Sequence, residues 1–212
     1  LVMEALNHEG LNVTHIPAGK SGHKSSNILE RLDRDVLSKN PDWMTLSCGV
    51  NDVWHFKLVL GDRTFEGIPL PEYKKNITEI IDRAQAAGIK VGLRFTINRM
   101  NVTEIPSIFD LLERHQIPRV CFYHLVYAGR GTGLVEADLD HQGTLKAVDL
   151  IMDRTKDLHE RGLDKEVLTV DNHADGPYVY LRLLREKSER AEKVLELLKM
   201  NGGNSTGNGI GC

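Results

Sequence analysis

Short apolar runs alternate with amphipathic stretches of helical period along almost the whole chain, and that alternation limits the fold more than any single residue does. Strands are expected near 12–16, 43–48, 89–97, 118–126 and 166–171. Helices are expected over 26–38, 71–87, 105–114, 141–161, 178–185 and 189–200. Pro71 suits a first helical turn, and Gly88 and Gly162 suit helix ends. A strand followed by a helix, repeated, makes a parallel sheet with helices packed outside it. The expected fold is therefore α/β: one open, mostly parallel sheet of about five strands. Too few βα units are present to close an eight-stranded barrel. The polar stretch 53–70 and the tail 201–212 carry few apolar anchors and are expected to be the least ordered.

Chemistry in such folds gathers at the carboxyl ends of strands, so the informative loops are 17–25, 49–55, 98–103, 127–135 and 171–177. Composition narrows the partners. A net charge of -3 gives no reason to expect nucleic acid, and no apolar run is long enough to span a bilayer. Three unevenly spaced cysteines, Cys48, Cys121 and Cys212, argue against a disulfide framework and suit a reducing cytoplasm. The four Asn-x-Ser/Thr sequons at Asn12, Asn76, Asn101 and Asn204 then read as chance matches. Leu1 and Cys212 both read as cuts through a longer chain.

In the first half, the expected strand 43–48 runs into Gly49-Val50-Asn51-Asp52. Gly49 lets a ligand approach the backbone closely, and the Asn51 amide two residues on can face a developing oxyanion. A second turn, Gly19-Lys20-Ser21-Gly22, offers backbone N–H donors after the preceding strand. Two ordinary strand-to-helix turns are the plainer alternative. A phosphate-binding loop is a poorer reading of Thr14 to Ser21, because Thr14 stands where a glycine is required and Pro17 stiffens the loop. Residues 1 to about 92 resemble the SGNH (GDSL-type) hydrolases. The resemblance rests on Ala18-Gly19-Lys20-Ser21-Gly22-His23-Lys24-Ser25, on Gly49-Val50-Asn51-Asp52, and on the style of 32–37 and 41–43. It implies a flavodoxin-like half with Gly22 and Asn51 as oxyanion donors, helped by Gly49. It also implies a Gly-Asp-Ser nucleophile block that would precede Leu1 and a later D-x-x-H block, and nothing after residue 92 reads as a continuation of the family pattern. Gly61-Asp62-Arg63 has no hydroxyl and is no substitute. An oxyanion hole without nucleophile or base holds a carbonyl but does not cleave an ester efficiently.

In the second half, the strand ending at Tyr127-Ala128 runs into Gly129-Arg130-Gly131, a loop offering backbone donors and a guanidinium to an anionic or adenine-like ligand. Asp171-Asn172-His173-Ala174-Asp175-Gly176 follows the last strand and gathers two carboxylates and an imidazole; a polar turn capping the next helix is the alternative. Residues from about 82 onward resemble radical-SAM enzymes that modify the tetrapyrrole periphery in d-type haem synthesis and in the siroheme-dependent route to haem. The segments are Leu93 to Asn101, His124 to Gly131, Val170 to Tyr180, and Gly202-Gly203-Asn204-Ser205-Thr206-Gly207. The resemblance implies a partial (β/α) barrel, with S-adenosylmethionine near Thr96, Asn98, Gly129, Arg130 and Gly131 and a tetrapyrrole near His173 and Asp175. It also implies a [4Fe–4S] cluster, but the C-x-x-x-C-x-x-C motif that holds one is absent. Cys212 stands where a SPASM-like extension would begin and is an auxiliary-cluster ligand only in a longer chain. Cys121, in an apolar strand, reads as a packed thiol.

Both patterns accept Ala87-Gly88-Ile89-Lys90-Val91, a helix end followed by a buried strand. The expected organisation is an SGNH-like fragment over 1–92, a radical-SAM-like partial barrel over 93–200 and the start of an extension over 201–212. A natural fusion, an assembly artefact and a recombined sequence all fit such a junction. The function expected is that of a radical-SAM tetrapyrrole enzyme fragment joined to an esterase fragment, with neither catalytic centre complete and no activity as it stands. The alternatives are an SGNH esterase or acetylhydrolase lacking its nucleophile block, and a non-catalytic α/β binding module. The expected ligand is a small molecule, a tetrapyrrole or a small ester, and open sheet edges favour self-association.

Overall fold

The computed structural model describes residue 10 and residues 13–53, 58–60 and 63–200; at 58–60, 63–65, 129 and 130 it describes the backbone alone. The chain forms two compact units, 1–89 and 90–212.

In the first unit, helix α1 spans Ser25–Asp35 and is followed by a short 3-10 turn, Leu37–Lys39. Asn40 takes a left-handed conformation, φ 47°, and Pro41 prevents the helix from resuming. A two-stranded antiparallel hairpin follows, β1 (Leu58–Leu60) and β2 (Arg63–Phe65). Helix α2, Leu70–Ala86, starts with Pro71 in its first turn and stops before Gly88, whose φ of +81° ends it. α1 packs on α2. Leu32, Ile80, Ile81, Ala84 and Ile89 are buried and make the core of this unit.

The expected strands at 12–16 and 43–48 do not form: residues 13–16 and 43–48 pair with no other strand. A run of β-favouring residues becomes a strand only when a neighbour takes its N–H and C=O groups, and the described residues of this unit supply none. Their apolar side chains are correspondingly exposed, Ile16 at 47% and Trp43 at 87%. The hairpin occupies a stretch expected to be a loop; residues 54–57 and 61–62 of that stretch lie outside the described residues, as do residues 11–12.

In the second unit, strands β3 (Gly92–Thr96), β4 (Arg119–Tyr123) and β5 (Glu166–Val170) form a parallel sheet in the order β3-β4-β5. The register aligns Gly92, Arg119 and Glu166 at one end and Thr96, Tyr123 and Val170 at the other. Helix α3 (Ile105–Arg114) links β3 to β4, and α4 (His141–Glu160) links β4 to β5. Helices α5 (Asp175–Arg185) and α6 (Arg190–Met200) follow. Residues two apart share a sheet face. Val120 and Phe122 lie on the face covered by helices and are fully buried. Phe109 of α3 stacks on Phe122 at 5.5 Å between ring centres, and Phe95 meets Phe122 edge-on at 6.1 Å. Ile105, Leu112, Ile117, Val148, Ile151 and Leu158 complete this core. On the opposite face Gly92, Arg94 and Thr96 are exposed.

The fold is thus α/β with an open parallel sheet, as the alternation requires. Among the described residues three strands make that sheet rather than about five, and a separate antiparallel pair stands where a flavodoxin-like first half calls for parallel strands.

Candidate functional site

In the first unit the two glycine turns are tied together. The Asn51 side chain donates from Nδ2 to the His23 carbonyl at 3.0 Å, so the 49–53 turn and the Gly22 turn share a bond. Gly22 has φ +78° and Gly49 φ +119°; a Cβ at Gly49 would come within 3.1 Å of the Tyr73 hydroxyl. A side chain there is strained by the backbone conformation and would also require the Tyr73 hydroxyl to give by a few tenths of an ångström. One proton of the Asn51 amide is spent on His23.

Beneath these turns is a brace that sequence reasoning missed. Ser25 donates its backbone N–H to the Asp52 carboxylate at 2.9 and 3.2 Å, and its hydroxyl at 2.6 Å. Asn76 donates to the Ser25 hydroxyl at 3.1 Å. All three side chains are buried, Asp52 at 2% exposure. A carboxylate 27 residues away therefore serves the first N–H of α1 and meets the positive end of its dipole. Ser25 is fully buried and committed to Asp52, so it is no nucleophile. Nor is Cys48 activated: burial pushes its thiol up, the Asp52 charge adds to that, and a hydrogen bond with Tyr73 only partly offsets it. The sequon at Asn76 has its amide inside this brace.

In the second unit the carboxyl ends of the strands bring three loops together. After β3, Asn101 accepts from the Asn98 N–H at 2.8 Å and donates to the Thr96 carbonyl at 2.9 Å, while Asn98 accepts from the Met100 N–H. The Arg99 N–H then reaches the Ala137 carbonyl at 2.8 Å, which joins this turn to the 3-10 segment Gly129–Ala137. Thr96 and Asn98 are in this way linked to the segment that carries Gly129, Arg130 and Gly131. Gly131 has a steric reason to be glycine: a Cβ there would lie 2.0 Å from the Val126 carbonyl oxygen.

After β4, His124 continues the ladder by one bond, its N–H donating to the Val170 carbonyl at 3.0 Å. Its ring Nε2–H donates to Asp175 Oδ2 at 2.7 Å, and Asn172 donates to Asp175 Oδ1 at 2.7 Å. The side chains of His124 and Asp175 are 13% and 4% exposed. Both oxygens of Asp175 are thereby occupied, and it faces inward while His173 is exposed. The sequence brought His173 and Asp175 together as neighbours; the fold separates them and gives Asp175 a partner 51 residues away. Only the closeness of His124 to a strand end could have pointed to it.

A shallow groove lined by Asp149, Asp153, Tyr178, Arg182, Arg185 and Glu186 is filled by its own ion pairs. Arg182 binds Asp149 at 2.9 Å and Glu186 at 2.8 Å and also pairs with Asp153, while the Tyr178 hydroxyl donates to Asp149. These contacts pin α5 to α4.

The donors of this chain do not fit the implied iron–sulfur cluster. Its cysteines stand at 48, 121 and 212, and among the described residues no three His, Cys, Asp or Glu side chains gather as a metal site. Cys212 lies outside the described residues. No helix among the described residues is long and apolar enough to cross a membrane.

Residues 2–118 match the model of the GDSL-like Lipase/Acylhydrolase family. That match runs past residue 92, through β3 and α3. The chain is 63% identical over 132 residues to the Fe-coproporphyrin III synthase of Methanosarcina barkeri, covering 62% of this chain and 33% of that protein. It is 38% identical over 127 residues to the pre-heme d1 synthase of Dinoroseobacter shibae, covering 58% of this chain and 31% of that protein. The chain thus spans about a third of the length of these curated relatives.

Proposed function

The chain belongs to the GDSL-like lipase/acylhydrolase family, and from that premise we propose that it joins an acyl-binding turn pair of that family to the tetrapyrrole-binding segment of a radical-SAM haem-biosynthesis enzyme. The observation that carries the second half is the 63% identity to an Fe-coproporphyrin III synthase. At that identity aligned residues keep the same backbone and most of the same contacts. In this reading the tetrapyrrole lies over the carboxyl ends of β3, β4 and β5, near His173 and the Asp175 loop. S-adenosylmethionine lies by Thr96, Asn98 and the Gly129–Arg130–Gly131 segment. The three cysteines at C-x-x-x-C-x-x-C spacing that would hold a cluster are not in this chain.

The test is a titration of the purified chain with coproporphyrin III, followed by porphyrin fluorescence. Saturable binding with one site per chain is expected. No binding beyond that to an unrelated protein would overturn the tetrapyrrole reading. Radical chemistry is not expected from this chain alone: after anaerobic reconstitution with iron and sulfide it gives no stoichiometric [4Fe–4S] spectrum.

The tied turns at Gly22 and Asn51 favour a second reading, in which the first unit holds a carbonyl or acetyl group. Without a Gly-Asp-Ser block in the chain, turnover of p-nitrophenyl acetate should not exceed that of the denatured chain. Turnover that Asn51→Ala abolishes would overturn the missing-nucleophile argument.

A further inference from the structure

We propose that Arg94, stacked on Tyr123 on the open face of the parallel sheet, binds a carboxylate of the ligand that the second unit holds; in taking that ligand to be a tetrapyrrole, this rests on the reading above. Residues two apart on a strand share a face, and the register sets Arg94 opposite Cys121 and Thr96 opposite Tyr123. Val120 and Phe122 are buried under the helices, so Arg94, Thr96, Cys121 and Tyr123 lie on the other face. A parallel sheet ordinarily has both faces covered. Here Arg94 and Thr96 are exposed and Tyr123 is only partly buried.

Arg94 is held in place but not neutralised. Its guanidinium carbon lies 4.5 Å from the centre of the Tyr123 ring, a cation–π contact. A stacked guanidinium keeps its N–H donors available in its own plane, and it is protonated throughout the working pH range. Among the described residues no carboxylate pairs with it. The acidic side chain that the three strands carry is Glu166, at the amino ends of the strands and already paired with Arg119 at 3.3 Å. Thr96 and Tyr123 add two hydroxyls at the carboxyl ends. This end of the open face therefore offers donors and a fixed positive charge. Its complement is a carboxylate, whose two oxygens match the guanidinium fork. The substituents of a coproporphyrin end in carboxylates, and S-adenosylmethionine carries one on its amino-acid end. Tyr123 is in this account a positioning residue: it acts through Arg94.

Fluorescence titrations of the full chain compare coproporphyrin III with its tetramethyl ester, which keeps the ring and removes the charges. Calorimetry compares S-adenosylmethionine with its decarboxylated form. The unaltered chain should bind the acid at least about tenfold more tightly than the ester, in line with a bidentate bond between charged groups. Arg94→Gln should remove most of that preference and leave the ester's affinity unchanged. Arg94→Lys keeps the charge but not the fork and should retain only part of it. Tyr123→Leu removes the stacking platform and should also lower it. Guanidinium nitrogen NMR of the unaltered chain keeps the test valid if a variant fails to fold. The Nε–H resonance of Arg94 should move on saturation with the acid and stay still with the ester. If coproporphyrin III binds but Arg94→Gln keeps the full preference, or the resonance does not move, the role of Arg94 is overturned and the tetrapyrrole reading stands. If coproporphyrin III does not bind, while S-adenosylmethionine outbinds its decarboxylated form and Arg94→Gln removes that difference, the tetrapyrrole reading fails and the carboxylate is that of S-adenosylmethionine. If neither binds, both assignments fail. A dimer in sedimentation that Arg94→Glu breaks, with the acid preference unchanged in Arg94→Gln, would give the open face to a second copy and overturn the carboxylate assignment.

Discussion

Replacing Asp52 by asparagine should loosen the start of α1 more than any exposed change in the first unit. The carboxylate accepts the Ser25 N–H at 2.9 Å and the Ser25 hydroxyl at 2.6 Å, at 2% exposure. A hydrogen bond to a charged group contributes about 1.5–3 kcal/mol, against about 0.5–1.5 kcal/mol for a neutral one. Asparagine with its oxygen in the Oδ1 place keeps both bonds as a neutral acceptor only, and puts its NH2 group where Oδ2 accepts the Ser25 N–H at 3.2 Å, donor against donor. Losing a negative charge at the helix N-terminus costs about another 0.3–1 kcal/mol. The lower desolvation cost of a neutral side chain offsets part of this. The expected loss is about 2–3 kcal/mol. Asp52→Ala strands two buried donors and should cost about 3–5 kcal/mol. Urea unfolding followed by ellipticity gives the size, and hydrogen exchange of the 25–35 amides gives the place. A Ser25→Ala, Asp52→Asn double-mutant cycle should return a coupling of roughly 1–3 kcal/mol. A change under about 0.5 kcal/mol for Asp52→Asn, or exchange that speeds up elsewhere and not in α1, would refute the reasoning.

Gly131→Ala places a Cβ about where the Val126 carbonyl oxygen lies, so the 126–131 segment must move. A loss of about 1–3 kcal/mol, typical of overpacking, is expected in thermal unfolding, with local faster exchange. Cys48 should alkylate with iodoacetamide more slowly at pH 8 than a free cysteine, because burial raises its thiol. Tyr73→Phe should slow it further by removing the hydrogen bond that lowers it, as read by mass spectrometry of the Cys48 peptide. Glu113 is held below its ordinary range by its hydrogen bonds with Arg161, at 2.7 and 2.8 Å. The stability it contributes is therefore present above the unfolded carboxyl value and is lost as pH falls through the lowered folded value. Glu113→Gln should flatten that acid limb by less than about 1 kcal/mol, since the pair faces solvent and is screened. An unchanged limb in acid unfolding curves would contradict it.

What the sequence determined is what repeats over short range. The helix period set α3 and α4 almost to the residue, since their apolar stripes, proline start and glycine stop are all local. The strands β3, β4 and β5 were legible because each is an apolar run feeding such a helix, and that unit folds back into a parallel sheet. The glycines at 22, 49 and 131 could be read as special, though the Val126 oxygen that requires Gly131 could not. Tertiary structure decided the rest. Residues 13–16 and 43–48 have the composition of strands, yet a strand is a property of a pair, and these lack their neighbours among the described residues. The same holds for the polar groups. Asp52 meets Ser25 across 27 positions and Asp175 meets His124 across 51, and no spacing rule links residues so far apart. A buried carboxylate must find donors wherever the fold brings them, so its partner is fixed by packing and not by the pattern along the chain.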